Sequence, residues 1–112
     1  MWIMISGPYS IGNTADLATR AANLHRLNEA AVALHRAGHV PVIGVNLALP
    51  VIEAAGAASF EEIMMPLSLA LAERCDACLR IGGPSAGADE EAAIFHARGQ
   101  PVFRRLEDVP AA

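Results

Sequence analysis

Short apolar runs alternate with helix-patterned stretches along the whole chain, and this alternation limits the possible folds more than any single motif does. Trp2 to Ser6 reads as a first strand ending in the turn Gly7-Pro8-Tyr9-Ser10. From about Asn13 to Ala37 the pattern is helical, with Asn13 as a candidate N-cap and Gly38 closing the C-terminal end. Leu17, Ala21, Leu24, Ala31 and Leu34 fall on or near one face of that helix. Val40-Pro41-Val42-Ile43 is a second strand, which Pro41 places near a sheet edge or a strand end.

The next segment, Gly44 to Ser59, reads as a long apolar connection with room for one helical turn around Val51 to Ala55. A helix then runs to Arg74 with Phe60, Ile63, Met64, Leu67 and Leu71 inward, and Pro66 either kinks it or opens a fresh helix. Ala77 to Ile81 is a third strand, 86–98 a helix closed by Gly99, and Pro101-Val102-Phe103 a fourth strand. The tail can add one more short element.

Strands alternating with helices specify an α/β fold. The expected architecture is a small doubly wound, flavodoxin- or Rossmann-like three-layer sandwich over a parallel sheet of four or five strands, order 2-1-3-4(-5). All 112 residues form one domain on this reading. The winding direction reverses between the first and third strands, and a ligand crevice is expected outside their carboxyl ends.

The most unusual carboxylate lies at that place. In the helix after Gly82-Gly83-Pro84-Ser85, residues Ala88, Ala92 and Phe95 form the apolar stripe, and Ile94 extends it. Glu91 falls inside that sector, whereas Asp89 and Glu90 point elsewhere and suit the positive end of the helix dipole. Gly87, four residues earlier on the same face, leaves space over which Glu91 can reach.

Composition excludes several classes of function. The formal charge of −4 argues against nucleic acid or an anionic membrane surface as a main partner. All eight basic residues are Arg, so no lysine is available for a phosphate loop, a Schiff base or general-base work. Cys75 and Cys78 form a lone C-x-x-C at a helix C-terminal end, where the dipole opposes thiolate formation, so both read as ordinary buried thiols.

His25, His35, His39 and His96 show no paired metal spacing and read as surface or helix-face residues; neither a metal nor a cofactor is expected. Asp76 reads as closing a helix–strand junction, and Asn46 as a residue that could meet a ligand from the long connection. A signal peptide and a membrane span are not evident, so the expectation is a cytoplasmic protein. The apolar fraction of 54% suggests burial against a second copy, that is, a homo-oligomer.

Taken together, Ile5-Ser6-Gly7-Pro8-Tyr9, the strand entry Cys75-Asp76-Ala77, the S-x-G-x-x-x-E of Ser85, Gly87 and Glu91, and the Gly99 to Val102 strand start resemble the nucleoside 2-deoxyribosyltransferase family. Its relatives include the 2′-deoxynucleoside 5′-monophosphate N-glycosidases. The resemblance spans nearly the whole chain, and S-x-G-x-x-x-E is its most specific part. It implies N-glycosidic bond cleavage or transfer on a nucleoside or nucleotide, with Glu91 as nucleophile and Tyr9 orienting Glu91 or the sugar.

It further implies a substrate-binding set of Gly7, Ser10, Gly83, Ser85, Gly87 and Ser68. The chain departs from the family pattern at two of these positions. Ser68 stands eight residues before Asp76, where the family has an Asp, with Glu61 and Glu62 as candidate substitutes. Ser10 stands where the monophosphate hydrolases have an Arg, which tilts the reading away from a 5′-monophosphate unless Arg20 or Arg80 lies nearby. A non-catalytic nucleoside or nucleotide sensor on the same scaffold is the alternative. The phosphoribohydrolase loop P-G-G-x-G-T-x-x-E spaces its glycines differently and fits less well.

Overall fold

The computed structural model describes residues 1–10 and 16–112. Four strands form an all-parallel sheet in the order β2-β1-β3-β4, with β1 Trp2–Ser6, β2 Val40–Val42, β3 Ala77–Arg80 and β4 Val102–Phe103. The strand order expected for a doubly wound sheet is therefore observed, and Pro41 lies in the edge strand β2, where a missing N–H is tolerated. The tail adds a short 3₁₀ turn, Leu106–Asp108, rather than a fifth strand.

Central strands of parallel sheets are covered on both faces, so they read as continuous apolar runs. On β1, Ile3 and Ile5 join Ala77 and Leu79 of β3 against helix α1 (Leu17–Arg36) through Leu27, Ala30 and Leu34. Met4 and Cys78 face the other way, onto Ala72 of α3 (Phe60–Ala72) and Ala92 and Phe95 of α4 (Ala86–Ala97). This period-two division makes the sheet the middle layer of three. In register, Ser6 pairs with Arg80, so both sit at the carboxyl end of the sheet.

The buried stripe of α1 differs from the expected one. Asn23, Leu27, Ala30 and Leu34 are buried, Leu24 and Ala31 flank them, and Leu17 is 80% exposed. The cause is a polar contact: Asn23 turns inward because its Nδ2 donates to the Tyr9 carbonyl at 2.8 Å. The helix starts at Leu17, with Asp16 as N-cap accepting from the Thr19 amide at 2.7 Å. The Asn13 cap lies outside the described residues. At the far ends of α1 and α4, Gly38 and Gly99 adopt φ of +91° and +68° and close each helix with the two short backbone bonds of a Schellman motif.

The connection after β2 is a helix, not a loop. Helix α2 covers Gly44–Ala55, with Pro50 inside it, and a 3₁₀ turn at Ala57–Ser59 leads into α3. Gly44 and Pro50 are poor helix formers, yet Ala48 and Ile52, one turn apart, are buried with Met64 and packed against Phe60, Ile63 and Leu67. Burial of that stripe outweighs the loss of one backbone bond at Pro50. Helix α3 continues through Pro66, and its most buried line is Met64, Ser68 and Ala72.

His39 also departs from the surface reading. It is buried, its Nδ1 lies 2.9 Å from the Met1 nitrogen and its Nε2 lies 2.6 Å from the Pro110 carbonyl. Cys75 and Cys78 are free and buried, as their positions suggested. Asp76 takes the Trp2 amide at 2.8 Å, tying the entry of β3 to the start of β1. Asn46 is exposed and donates to Asn28 at 2.7 Å. No helix among the described residues is long and apolar enough to cross a membrane.

Candidate active site

A cavity of about 440 Å³ opens at the carboxyl ends of β1 and β3, within the size range of small-molecule sites. It lies where the winding reverses, as expected for a doubly wound sheet. Gly7, Tyr9 and Ser10 from the turn after β1 form one wall, and Pro84, Ser85, Ala86, Gly87, Ala88 and Glu91 another. Helices α2 and α3 supply Val45, Phe60, Glu61, Met64, Met65 and Ser68.

Seven of the eight site residues read from the sequence therefore converge: Glu91, Tyr9, Gly7, Ser10, Ser85, Gly87 and Ser68. Gly83 is outside the lining. It is exposed, and its carbonyl accepts from Arg80 Nη2 at 2.9 Å. Of the two substitute carboxylates considered, Glu61 lines the cavity and Glu62 does not.

Glu91 is 9% exposed on the buried stripe of α4, beside Ala88, Ala92 and Phe95. Burial pushes its carboxyl up to about 7; a hydrogen bond from Ser6 and the charge of Arg80 pull the other way, and Glu90 adds slightly to the rise. A water-poor carboxylate in a cleft, with a specific donor and a nearby cation, is the pattern of a functional acid or nucleophile.

Three residues around Glu91 were not picked out as site residues from the sequence. Ser6, fully buried at the end of β1, donates to the carboxylate and accepts from Cys78 Sγ at 3.6 Å. Arg80 is buried at the end of β3, where Nε donates to Asp89 Oδ1 at 3.0 Å and Nη1 to the Ile81 carbonyl at 2.7 Å. With its bond to Gly83, this guanidinium pins the β3–α4 turn. Gly44 is the third: a Cβ there would meet Ser68 Oγ and lie 3.3 Å from Glu91 Oε2.

That last contact changes the role read for Gly87. The space above Gly87 is filled by the Met65 thioether, 3.2 Å from where a Cβ would sit. The bare glycine next to the carboxylate is Gly44 instead. One signal for Ser6 was available: a hydroxyl on the α4-facing side of an otherwise apolar central strand. No comparable signal marks Gly44, whose importance comes from two other helices approaching it.

Ser85 caps α4, its Oγ accepting from the Ala88 amide at 3.1 Å, so the positive end of the helix dipole faces the cavity. Asn23 fixes the opposite wall through the Tyr9 carbonyl and itself accepts from Arg26 Nη2 at 2.8 Å. Among the described residues no group of three or more His, Cys, Asp or Glu is placed to hold a metal ion. Chemically, the site can present one desolvated carboxylate to a ligand held between Tyr9, the start of α4 and the Met-rich wall.

Comparison of the sequence with models of protein families and with curated proteins finds no match in either.

Proposed function

We propose that the protein cleaves or transfers the N-glycosidic bond of a nucleoside or related N-glycoside, with Glu91 as nucleophile and net retention at the anomeric carbon. The observation that carries this reading is a buried Glu91 carboxylate facing a cavity of about 440 Å³ at the switch point of the sheet. Cleavage of such a bond develops positive charge on the sugar ring, which an adjacent carboxylate stabilises and can trap as a glycosyl ester. A desolvated carboxylate suits that task, since its attraction to the developing cation is little screened. Tyr9 and the capped start of α4 line the same cavity and support the reading as contacts for the sugar, and the S-x-G-x-x-x-E resemblance points to the same chemistry.

A second reading, a non-catalytic nucleoside or nucleotide sensor, is favoured by Ser68, a hydroxyl beside Glu91 where the resembling family carries a carboxylic acid. Incubation with ribo- and deoxynucleosides, with and without a second free base, separates the two. Base exchange identifies a transferase and free sugar a hydrolase; saturable binding with unchanged substrate identifies a sensor. Absence of both binding and turnover removes both readings.

A further inference from the structure

We propose that the cavity selects N-glycosides whose leaving base already carries a positive charge, such as pyridinium or N-alkylated purine nucleosides, over neutral nucleosides and 5′-phosphates. This rests on the reading of Glu91 as the nucleophile and names the charge class of its substrate.

Charge is the first ground. Among the described residues lining the cavity, Glu61 and Glu91 are the ionisable acids and none is basic. Residues 11–15 contain no basic side chain. The buried Arg80 guanidinium is occupied by Asp89 and the carbonyls of Ile81 and Gly83. The positive end of α4 faces another part of the cleft, so the preference for a cation is expected on the side where Glu61 and Glu91 lie. The remaining walls suit a flat cation, with the Phe60 ring and the polarisable thioethers of Met64 and Met65 on the α3 side.

Leaving-group chemistry is the second ground. A neutral base departs as an anion unless an acid protonates it. Beside Glu91 stands the Ser68 hydroxyl, and the other lining carboxylate, Glu61, is exposed to water. A cationic base needs no proton. A Glu91 oxygen bonds to the anomeric carbon as the C–N bond breaks, and that bond's electron pair neutralises the ring nitrogen. Water then adds to the anomeric carbon, the ester electron pair returns to Glu91, and the water proton is released to solvent. The sum is cation plus water to sugar, neutral base and one proton.

The test measures kcat/KM of the wild-type protein for nicotinamide riboside, inosine and the 5′-phosphate of nicotinamide riboside, in ribo and 2′-deoxy forms. Glu61→Gln is measured in parallel, because it removes charge from an exposed position without altering the substrates' intrinsic lability. The expected order is cationic, then neutral, then phosphorylated, with a preference of about tenfold or more for the cation. That preference should shrink several-fold in Glu61→Gln and at raised salt. Equal use of inosine, best use of the phosphate, or a preference untouched by Glu61→Gln overturns the charge selection while leaving Glu91 as nucleophile. If none of the probes binds or reacts, the parent reading falls with it.

Discussion

Gly44 and Ser68 approach so closely that only a hydrogen fits between the α-carbon of one and the hydroxyl of the other, and Glu91 Oε2 lies 3.3 Å from where a Cβ on Gly44 would sit. Gly44 opens α2, Ser68 lies mid-way along α3 and Glu91 sits on α4, so three helices meet over the carboxylate. Their contact shields Glu91 from water while one side stays open to the cavity.

Gly44→Ala should therefore cost about 1–3 kcal/mol, because the added methyl meets backbone-anchored Ser68 and not a flexible tip. Gly87→Ala meets only the movable Met65 thioether and gains helix propensity, so its effect should stay within about 1 kcal/mol. Urea denaturation of both variants checks the contrast. Equal losses would show that the three-helix contact does not constrain position 44.

Glu91→Gln should abolish turnover and yet stabilise the fold above neutral pH. The native carboxyl sits at about 7 against an ordinary 4.5, so the folded state binds more protons than the unfolded one between those values. Wild-type stability consequently falls as pH rises through that window, by on the order of 3 kcal/mol in all. The variant lacks this loss, so its advantage should be small at pH 4.5 and largest above pH 7. Thermal melts at the two pH values decide it, and a variant less stable at pH 8 contradicts the burial argument.

The pH dependence of rate distinguishes a nucleophile from an acid. If Glu91 attacks the sugar, it must be ionised, and kcat/KM should rise with pH and level off above about 7. A limb that falls through the same region would assign Glu91 to protonating the leaving group instead.

Ser6→Ala removes the hydroxyl that donates to Glu91, and so should move the rising limb to higher pH by about one unit. It should also lower kcat with little change in KM, since Ser6 lies beneath Glu91 and outside the cavity lining. Ser6→Thr keeps a hydroxyl and should restore the position of the limb. A purely structural role would leave the limb of the Ala variant unmoved.

Cys75 and Cys78 should resist alkylation in the native state at pH 8 and react fully once unfolded. Desolvation pushes each thiol up to about 11, with Asp76 adding to the rise at Cys75, so little thiolate forms. Timed thiol titration with and without denaturant measures this. Rapid native labelling would point to a reactive pair.

Much of the molecule could be read from residues close together in the chain. Apolar runs, turn glycines and helix caps act locally, so strands at Trp2, Val40, Ala77 and Val102, the caps at Gly38 and Gly99, and the inward Glu91 all follow from short-range spacing. Strand order followed too, because right-handed crossovers leave few choices. The rest depended on which elements meet. Helix α2 exists because α3 covers Ala48 and Ile52 in spite of Pro50, and α1 rotates because Asn23 finds the Tyr9 carbonyl. Ser6 and Gly44 matter only through partners 85 and 47 positions away in Glu91. Local sequence determined where a carboxylate would point; long-range packing alone decided what surrounds it, since desolvation and steric exclusion are set by neighbours brought together from distant parts of the chain.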